Sequence, residues 1–292
     1  MYMRLEEAND NVILYDVSDF DVEQIFECGQ CFHFEKLGDK DYVTVAYGKA
    51  LRVTQDEEKV VLHHTSLKEY NQIWKHYFDM DTDYGAIKRW LLDKDESLQM
   101  VIDKTGGIRI LKQEFHEMVM SFIISQNKQI PHIKQIVANI SEQFGTIAGE
   151  IDGKKYYAFP TIEQLINVTE DDYRQLKTGF RAPYLMSATM HMKDGMRMEA
   201  FEEKTYDMAK QELLKVKGIG EKVANCILLF GLGYTNSFPV DVWIKRIMEY
   251  VYFGEETSID KIMAFASERF GQYGGYAQQY LFHYARLEKL TK

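Results

Sequence analysis

The stretch that decides the fold runs from residue 213 to residue 226 and reads Leu213-Leu214-Lys215-Val216-Lys217-Gly218-Ile219-Gly220-Glu221-Lys222-Val223-Ala224-Asn225-Cys226. Two glycines flank one apolar residue between two amphipathic segments, which predicts a tight hairpin between two helices over about residues 212–230. Glycine lets the backbone of such a hairpin approach another molecule closely. The free N–H groups that open the second helix, with the positive end of its dipole, suit a phosphate group.

Lys222 and Asp241 give this hairpin its chemical interest. Lys222 lies in the first turn of the second predicted helix, and Asp241 follows 19 residues later, directly before a helical run that starts at Val242. An aspartate in that position is expected to cap the helix N-terminus. Each feature alone is weak evidence, because Gly-x-Gly pairs are common in loops and most lysines are solvated. Their combination indicates a phosphate-binding hairpin that carries a reactive amine and a carboxylate.

Length, composition and cysteine usage restrict the class of protein. The 292 residues can bury a substantial core. No apolar run approaches the roughly 20 residues that cross a bilayer, and the first residues lack the apolar stretch of a signal peptide. Three cysteines, at positions 28, 31 and 226, do not make a disulfide framework. We therefore expect a protein of the reducing cytoplasm without membrane contact.

The net charge of −10 is unusual for a protein that binds nucleic acid. Residues 1–100 hold 21 acidic and 11 basic side chains, whereas residues 101–292 hold 24 of each. Around the hairpin, residues 210–250 hold six basic and four acidic side chains. The acidic surplus is therefore expected to lie away from the phosphate-binding face, where backbone N–H groups can supply much of the contact.

The chain divides at about residue 105 into two regions. In the first, short apolar runs alternate with turns and indicate an antiparallel β-sheet with one wet face, at residues 12–15, 31–34, 42–47, 51–53 and 60–62. Helical spacing begins near Ser66 and dominates the rest of the chain. We expect an α+β fold, with an N-terminal antiparallel β-sheet domain at residues 1–105 and a mostly helical domain at residues 106–292.

Seven short stretches, in order along nearly the whole chain, resemble the 8-oxoguanine DNA glycosylase/AP lyases of the eukaryotic type, a branch of the helix-hairpin-helix DNA glycosylases. Besides the hairpin they are Cys28-Gly29-Gln30-Cys31-Phe32, Tyr77-Phe78-Asp79-Met80-Asp81, Gly107-Ile108-Arg109-Ile110-Leu111-Lys112-Gln113, Ser121-Phe122-Ile123-Ile124-Ser125-Gln126-Asn127, Gly179-Phe180-Arg181-Ala182-Pro183-Tyr184 and Gly275-Tyr276-Ala277-Gln278-Gln279-Tyr280-Leu281-Phe282. The resemblance implies a twisted antiparallel sheet followed by helical domains that grip duplex DNA containing 8-oxoguanine. It also implies a monomer, and a bacterial member that works in the cytoplasm with the nucleoid.

The resemblance assigns catalysis to Lys222 and Asp241. Lys222 would attack C1′ of a nucleotide flipped out of the duplex, displace the base and leave a Schiff base that permits strand cleavage by β-elimination. Asp241 would stabilise the positive charge that develops on the sugar. A lysine acts as a nucleophile only when neutral, so a closed pocket has to remove it from water. No organic cofactor is needed.

Four residues are implied in recognition of the damaged base. 8-Oxoguanine carries a proton on N7, where guanine has a lone pair, so a backbone carbonyl at this atom favours the lesion. The resemblance assigns that carbonyl to Gly29, the Watson–Crick edge to Gln278 and stacking to Phe282. Cys226 lies one helical turn after Lys222 and is expected to wall the pocket. Gly29 as a turn residue, Cys226 as a buried cysteine and Phe282 as a core aromatic are the simpler alternatives.

Contacts with the DNA itself are implied for eight residues. Asn127, Phe180 and Arg181 would fill the space that the flipped nucleotide leaves and hold its former partner base. The other contacts fall on His132, Gly218, Gly220, Val223 and Lys245. The resemblance also implies a cation at the hairpin, held by the carbonyls of Leu214, Val216 and Ile219.

The chain departs from the eukaryotic pattern at three positions. Phe180 stands where a tyrosine is usual, His132 where an arginine contacts the cytosine opposite the lesion, and Trp243 where a histidine is usual after the catalytic aspartate. The wedge and stacking functions survive these changes. We therefore expect the opposite base to be read less strictly than in eukaryotic relatives.

Other classes of site and function fit less of the sequence. No cysteine follows Cys226, which excludes the four-cysteine iron–sulfur loop of endonuclease III. Cys28 and Cys31 are spaced as C-x-x-C, but a zinc site needs a second ligand pair and thioredoxin chemistry needs a βαβ unit. A non-catalytic helix-hairpin-helix module explains the glycines but not Lys222 with Asp241. A lysine-dependent glycosylase for another oxidised or alkylated base is the remaining alternative.

Overall fold

Six strands form the antiparallel sheet of the N-terminal region in the computed structural model, which describes residues 3–290: β1 (Arg4–Ala8), β2 (Asn11–Tyr15), β3 (Phe34–Gly38), β4 (Asp41–Ala46), β5 (Lys49–Gln55) and β6 (Lys59–His63). They lie side by side in the order β1-β2-β6-β5-β4-β3, and every neighbouring pair is antiparallel. Val12 and Leu14 on β2 are buried, as are Val60 and Leu62 on β6. The alternation of apolar side chains thus decides which face of the sheet meets the core.

Four of the five predicted strands are confirmed, at residues 12–15, 42–47, 51–53 and 60–62. The prediction for residues 31–34 is wrong, because only Phe34 belongs to a strand. Cys31, Phe32 and His33 are all buried, so this segment runs between two layers of protein. Its side chains do not alternate between a buried and an exposed face, as those of a strand at a sheet surface do. Strand β1 has no predicted counterpart, because its side chains are mostly exposed or charged.

Helices make up most of the remaining chain. Among the described residues the α-helices are α1 (Val22–Glu27), α2 (Leu67–Glu69), α3 (Lys75–Tyr77), α4 (Tyr84–Lys94), α5 (Gln99–Thr105), α6 (Phe115–Ser125), α7 (Ile130–Phe144), α8 (Ile162–Leu165), α9 (Glu170–Gln175), α10 (Ala182–Lys193), α11 (Tyr206–Leu214), α12 (Glu221–Phe230), α13 (Val242–Met248), α14 (Ile259–Phe270) and α15 (Gly274–Leu287). A π-helical turn joins α2 to α3 at Tyr70–Trp74, and another follows α13 at Glu249–Phe253. The predicted hairpin is confirmed between α11 and α12, and so is the α+β fold class.

Two hydrophobic cores meet inside the molecule. One lies under the sheet and includes Trp74, and the other lies among the helices and extends from Tyr84 in α4 to Ala285 in α15. Helices α4 and α5 pack in the helical core, although they precede the predicted boundary at residue 105. Cys28 and Phe32, which follow α1, also belong to the helical core. The segment after α1 is therefore the place where the sheet region reaches into the helical region.

A second, two-stranded sheet lies within the mostly helical region. Its strands β7 (Ile147–Ile151) and β8 (Lys154–Tyr157) form an antiparallel hairpin that packs on β5. Arg52 on β5 donates to Asp152 in the hairpin turn at 2.9 Å, and Lys154 pairs with Glu35 on β3 at 2.6 Å. No predicted element corresponds to this hairpin, because none of its strand residues is buried and its position depends on these distant partners.

The cysteines are core residues. Cys28, Cys31 and Cys226 are free and buried. Burial raises the pKa of the Cys28 and Cys31 thiols to about 12, so both stay protonated at neutral pH.

Within residues 3–290 no helix is long and apolar enough to cross a membrane.

The side chain of Gln30 ties α1 to the segment that precedes α6. It is fully buried, and its Nε2 donates to the carbonyls of Ile25 and Arg109 at 2.9 and 2.7 Å. Its Oε1 accepts the N–H of Leu111 at 2.9 Å, and the Gln30 carbonyl accepts from Gln113 Nε2 at 2.9 Å. One amide therefore satisfies three buried backbone groups from two distant parts of the chain.

Replacing Gln30 with leucine should lower the free energy of unfolding by about 2–4 kcal/mol, because a buried N–H and two buried carbonyls lose a partner. Denaturant unfolding followed by tryptophan fluorescence measures the change. Gln99→Leu is the matched control, since Gln99 is exposed on α5 and bonds to the nearby Asp103. Equal stability of Gln30→Leu and the unchanged protein would show that this junction contributes nothing.

Candidate active site

A cavity of about 840 Å³ opens on one side of the helical core. It lies where the α11–α12 hairpin, the loop from α6 to α7, the start of α13 and the end of α15 converge. Its lining includes Gly29, Phe122, Asn127, Gly220, Lys222, Val223, Asp241, Trp243, Phe282 and Arg286. Residues predicted for catalysis, for base recognition and for DNA contact therefore meet in one place.

Lys222 lies in the first turn of α12 and lines this cavity. Its side chain is partly buried, and its Nζ stands 5.6 Å from the centre of the Phe122 ring. Phe122 stacks on Phe230 with the ring centres 5.4 Å apart, so the amine lies over a packed aromatic floor. Lys222 forms no ion pair among the described residues, and its amine is close enough to the Cys226 thiol to lower the pKa of that thiol.

Asp241 is the N-cap of α13, as predicted, and its Oδ1 accepts the N–H of Ile244 at 2.9 Å. This hydrogen bond holds the carboxyl group in one orientation at the start of the helix. Asp241 lines the same cavity as Lys222, and the two side chains form no ion pair. The cavity thus holds an oriented carboxyl group and an amine that forms no ion pair with it.

Cys226 lies behind the catalytic pair. Burial raises the pKa of its thiol, while the nearby Lys222 lowers that pKa and Asp241 raises it. The thiol is therefore within electrostatic range of both residues, one turn after Lys222 on α12. With an exposed fraction of 3% it lies beneath the cavity surface and is not among the lining residues, so its predicted role as a wall of the pocket stays a prediction.

Gly29 and Phe282 are in contact at the edge of the cavity. Gly29 has a φ of +78°, in the left-handed region that favours glycine. A Cβ atom placed on Gly29 would lie 2.9 Å from Cε1 of Phe282, closer than real Cβ contacts. The backbone conformation and the close approach both require glycine. The structure therefore brings together these two residues predicted for base recognition.

Gln278 does not join them at the cavity surface. It lies one turn before Phe282 in α15, its side chain is 4% exposed, and its Oε1 accepts from Gln279 Nε2 at 2.8 Å. The cavity lining does not include it. The contact of this amide with a base therefore stays a prediction.

The two hairpin glycines have different surroundings. Gly218 has a φ of +94°, and a Cβ there would lie 2.4 Å from Cγ of Tyr184 on α10. The Gly218 carbonyl accepts from Gln126 Nε2 at 2.9 Å. Gly220 is exposed, has open space around its Cβ position and caps α12. Gly218 therefore fixes the hairpin to the core, and Gly220 leaves the N–H groups that open α12 accessible to a phosphate.

Asn127, Phe180 and Arg181 lie along one edge of the site. Asn127 is exposed, lines the cavity and has a φ of +50°. Arg181 is buried and donates to the carbonyl of Gln126, the residue before Asn127. Its guanidinium lies 4.2 Å from the centre of the Phe180 ring, which is 51% exposed. This edge thus presents a supported aromatic ring and an amide to an approaching molecule.

The other residues predicted to touch DNA differ in their availability. His132 is exposed in the first turn of α7, and Val223 is buried at the cavity lining. Lys245 pairs with Glu249 one turn further on and lies 3.6 Å from Glu256. The charge of Lys245 is therefore already balanced by acidic side chains, and Lys245 does not line the cavity.

The carbonyls predicted to hold a cation lie around the hairpin turn. The Val216 carbonyl accepts the N–H of Ile219 at 3.0 Å and closes the turn. A carbonyl oxygen has two lone pairs, so this bond leaves one for a cation. Leu214 is the last residue of α11, where helix carbonyls lack helical partners. The residues therefore fit a cation that prefers oxygen ligands.

Sequence reasoning did not assign four residues of this site. Phe122 and Gln126 belong to a stretch that supports the resemblance, but their contacts with the hairpin follow only from the fold. Trp243 was noted only as a departure from the family pattern and lines the cavity. Arg286 lies four residues after Phe282 on α15 and also lines the cavity. That helical spacing was the only available signal for Arg286.

Comparison with known proteins agrees with this geometry. Residues 12–119 match the family described as 8-oxoguanine DNA glycosylase, N-terminal domain. Residues 120–272 match the HhH-GPD superfamily base excision DNA repair protein. A probable N-glycosylase/DNA lyase of Methanothermobacter thermautotrophicus is 31% identical over 232 residues, which cover 73% of each chain.

Solved structures resemble the whole chain. The Clostridium acetobutylicum 8-oxoguanine glycosylase/lyase, in complex with duplex DNA containing cytosine opposite 8-oxoguanine, is 40% identical with a TM-score of 0.94. That match covers 98% of this chain and 99% of the clostridial chain. A 3-methyladenine DNA glycosylase of Archaeoglobus fulgidus, 24% identical over 86% of this chain and 89% of its own with a TM-score of 0.71, shares the fold. The chain belongs to the 8-oxoguanine DNA glycosylase family, within the HhH-GPD superfamily of base excision DNA repair proteins.

Proposed function

We propose that this DNA repair enzyme excises 8-oxoguanine from duplex DNA and then cleaves the strand, as a bifunctional DNA glycosylase/AP lyase. The observation that carries the proposal is the single cavity lined by Lys222, Asp241, Gly29 and Phe282. It places an amine without an ion pair and an oriented carboxyl group next to a glycine backbone and an aromatic face. The clostridial 8-oxoguanine glycosylase/lyase, which is similar over nearly its whole length, supports the same substrate.

Excision begins with a flipped nucleotide in the cavity. The Lys222 amine attacks C1′ of the sugar while the bond from C1′ to the base breaks, and the base leaves with the bonding electrons. The Asp241 carboxylate stabilises the positive charge that develops on the sugar. Ring opening then gives a Schiff base between C1′ and Lys222. Loss of a proton from C2′ breaks the C3′–O bond by β-elimination.

Selection of the lesion rests on the Gly29 carbonyl. It would accept the N7 hydrogen of 8-oxoguanine, whereas the N7 lone pair of guanine would leave it unpaired. An unpaired polar group in a dry pocket costs about 1–3 kcal/mol, which favours the lesion by one to two orders of magnitude. Phe282, in contact with Gly29, offers the face on which the base stacks, and Cys226 lies on the Lys222 side.

The grip on DNA rests largely on uncharged groups. The N–H groups at the start of α12 bind a phosphate beside Gly220, and Asn127 with Phe180 fills the space of the flipped nucleotide. Arg181 supports that edge and reads the widowed base. Lys245 has acidic partners and contributes less. Backbone donors and uncharged side chains need no net positive charge, so we expect a moderate dependence on salt.

We also propose that the chemistry uses no organic cofactor and no iron–sulfur cluster. A structural cation on the carbonyls of Leu214, Val216 and Ile219 would reinforce the hairpin. We infer a monomer that acts with the nucleoid of a bacterial cytoplasm, and the 40% identity to a clostridial enzyme supports a bacterial source.

A panel of damaged duplexes tests the proposed activity. The purified protein, with chelator present, should remove 8-oxoguanine, leave guanine intact and become trapped on the DNA by borohydride. Lys222→Gln should lose excision and trapping but keep its affinity for lesion DNA, because the amide keeps the size and removes the nucleophile. Cleavage of an alkylated purine without action on 8-oxoguanine would assign another substrate. Binding without any excision would indicate a non-catalytic module.

Replacing Asp241 with asparagine should slow excision about 100-fold without a change in stability. The amide oxygen still accepts the Ile244 N–H, so the cap survives while the negative charge is lost. Single-turnover excision and thermal unfolding measure the two effects. Asp83→Asn is the matched control, because Asp83 caps α4 through the N–H of Ala86 and lies outside the cavity lining. Full activity in Asp241→Asn would remove the carboxylate from the mechanism.

We expect the enzyme to discriminate only weakly among the four bases that can stand opposite the lesion. The imidazole of His132 is shorter than an arginine side chain and offers at most two donors, against five in a guanidinium. Loss of one charged hydrogen bond is worth about 1.5–3 kcal/mol. Excision should therefore be fastest opposite cytosine, with thymine, guanine and adenine tolerated, and His132→Arg should restore part of the discrimination.

Excision rates opposite all four bases measure this preference. His191→Arg adds the same charge on the exposed face of α10 and serves as the control. Unchanged rates in His132→Arg, or strict cytosine preference in the unmodified protein, would show that other residues read the opposite base.

A further inference from the structure

We propose that Arg286 is a positioning residue, which holds the Gly29 segment and the Phe282 ring together as the two walls of the base-recognition site. The inference rests on the proposed function and adds a residue to it. Arg286 lies in the last turn of α15, partly buried at the cavity lining. It does not touch the reacting atoms in this account and acts through the two walls.

The first wall is tied by a hydrogen bond. Nη1 of Arg286 donates to the carbonyl of Glu27 at 2.8 Å. Glu27 is the last residue of α1, so its carbonyl belongs to a helix end that lacks helical donors. A guanidinium at this end also interacts favourably with the helix dipole. Gly29 follows only two residues later, so this bond fixes the point from which its carbonyl is presented.

The second wall, the Phe282 ring, is held by a cation–π contact with Arg286 on the same face of α15. Arg286 lies four residues after Phe282, and its Cζ is 5.6 Å from the centre of the Phe282 ring. At this separation a guanidinium and an aromatic face attract each other. The ring is thereby kept against Gly29, where a Cβ would lie only 2.9 Å from Cε1 of Phe282.

The guanidinium of Arg286 has no carboxylate partner among the described residues. No ion pair among residues 3–290 includes Arg286, so it is not part of a surface salt bridge. The adjacent His283 is buried, and burial, with a smaller contribution from Arg286, lowers its pKa to about 4. His283 is therefore neutral at pH 7. The contacts of Arg286 with α1 and with Phe282 account for its position in the fold.

Arg286→Met tests this role, since methionine keeps part of the stem and removes the guanidinium. Single-turnover excision of 8-oxoguanine should fall at least about tenfold, because a shift of the walls misplaces the base. Cleavage of a preformed abasic site needs Lys222 but no base in the site, and it should stay within about twofold of the unmodified rate. Affinity for DNA with a tetrahydrofuran abasic analogue should also stay within about twofold. Arg286→Lys keeps a donor for Glu27 and should restore part of the excision rate.

The outcomes separate positioning from other roles. Arg174→Met is the matched control, because Arg174 is an exposed arginine paired with Glu170 outside the cavity lining. Equal loss of excision, abasic-site cleavage and analogue affinity in Arg286→Met would identify a phosphate contact or a general folding role and overturn the proposal. Unchanged excision in Arg286→Met would overturn it too. If the unmodified protein excises no 8-oxoguanine but cleaves abasic sites, the proposed substrate fails and the comparison of variants does not apply.

Discussion

The buried hydrogen bonds of Gln30 are the constraint on which the active site depends. They join the segment after α1 to α1 itself and to residues 109–113, and so fix the backbone that carries Gly29. Gly29 precedes Gln30 directly, and its left-handed backbone leaves space for the Phe282 ring. A displacement of this junction would move one wall of the cavity away from the other. Stability and lesion recognition therefore rely on the same few polar contacts.

Lys222 and Asp241, the residues proposed for catalysis, are each positioned by the N-terminus of a helix. Lys222 lies in the first turn of α12 and Asp241 caps α13, so both are held by backbone geometry at the ends of rigid elements. One oxygen of the Asp241 carboxyl group accepts the N–H of Ile244, and this hydrogen bond fixes the direction of the group. The amine stays without an ion pair among the described residues, above the stacked rings of Phe122 and Phe230. This arrangement places the amine and the carboxyl group at one cavity without an ion pair between them.

Glycine serves two purposes in the hairpin, and the two explain how an acidic protein binds DNA. Gly218 lets the turn pack against Tyr184, and Gly220 leaves the first N–H groups of α12 open. Backbone donors need no net positive charge, so the acidic surplus of residues 1–100 does not prevent binding. Lys245 is consistent with this view, because its charge is already neutralised by Glu249 and Glu256 and is less available to a phosphate.

The sequence by itself determined the fold class, four strands of the sheet and the hairpin, and it predicted Lys222 and Asp241, which the structure brings to one cavity. These features rest on local signals: alternation of apolar residues, glycine spacing and helix capping act within a few residues. The β7–β8 hairpin, the burial of Gln278 and the place of Arg286 were decided only by the tertiary structure. Each depends on partners far away along the chain, as Arg286 depends on Glu27. Such contacts arise from packing of the two cores against each other, and no local pattern encodes them.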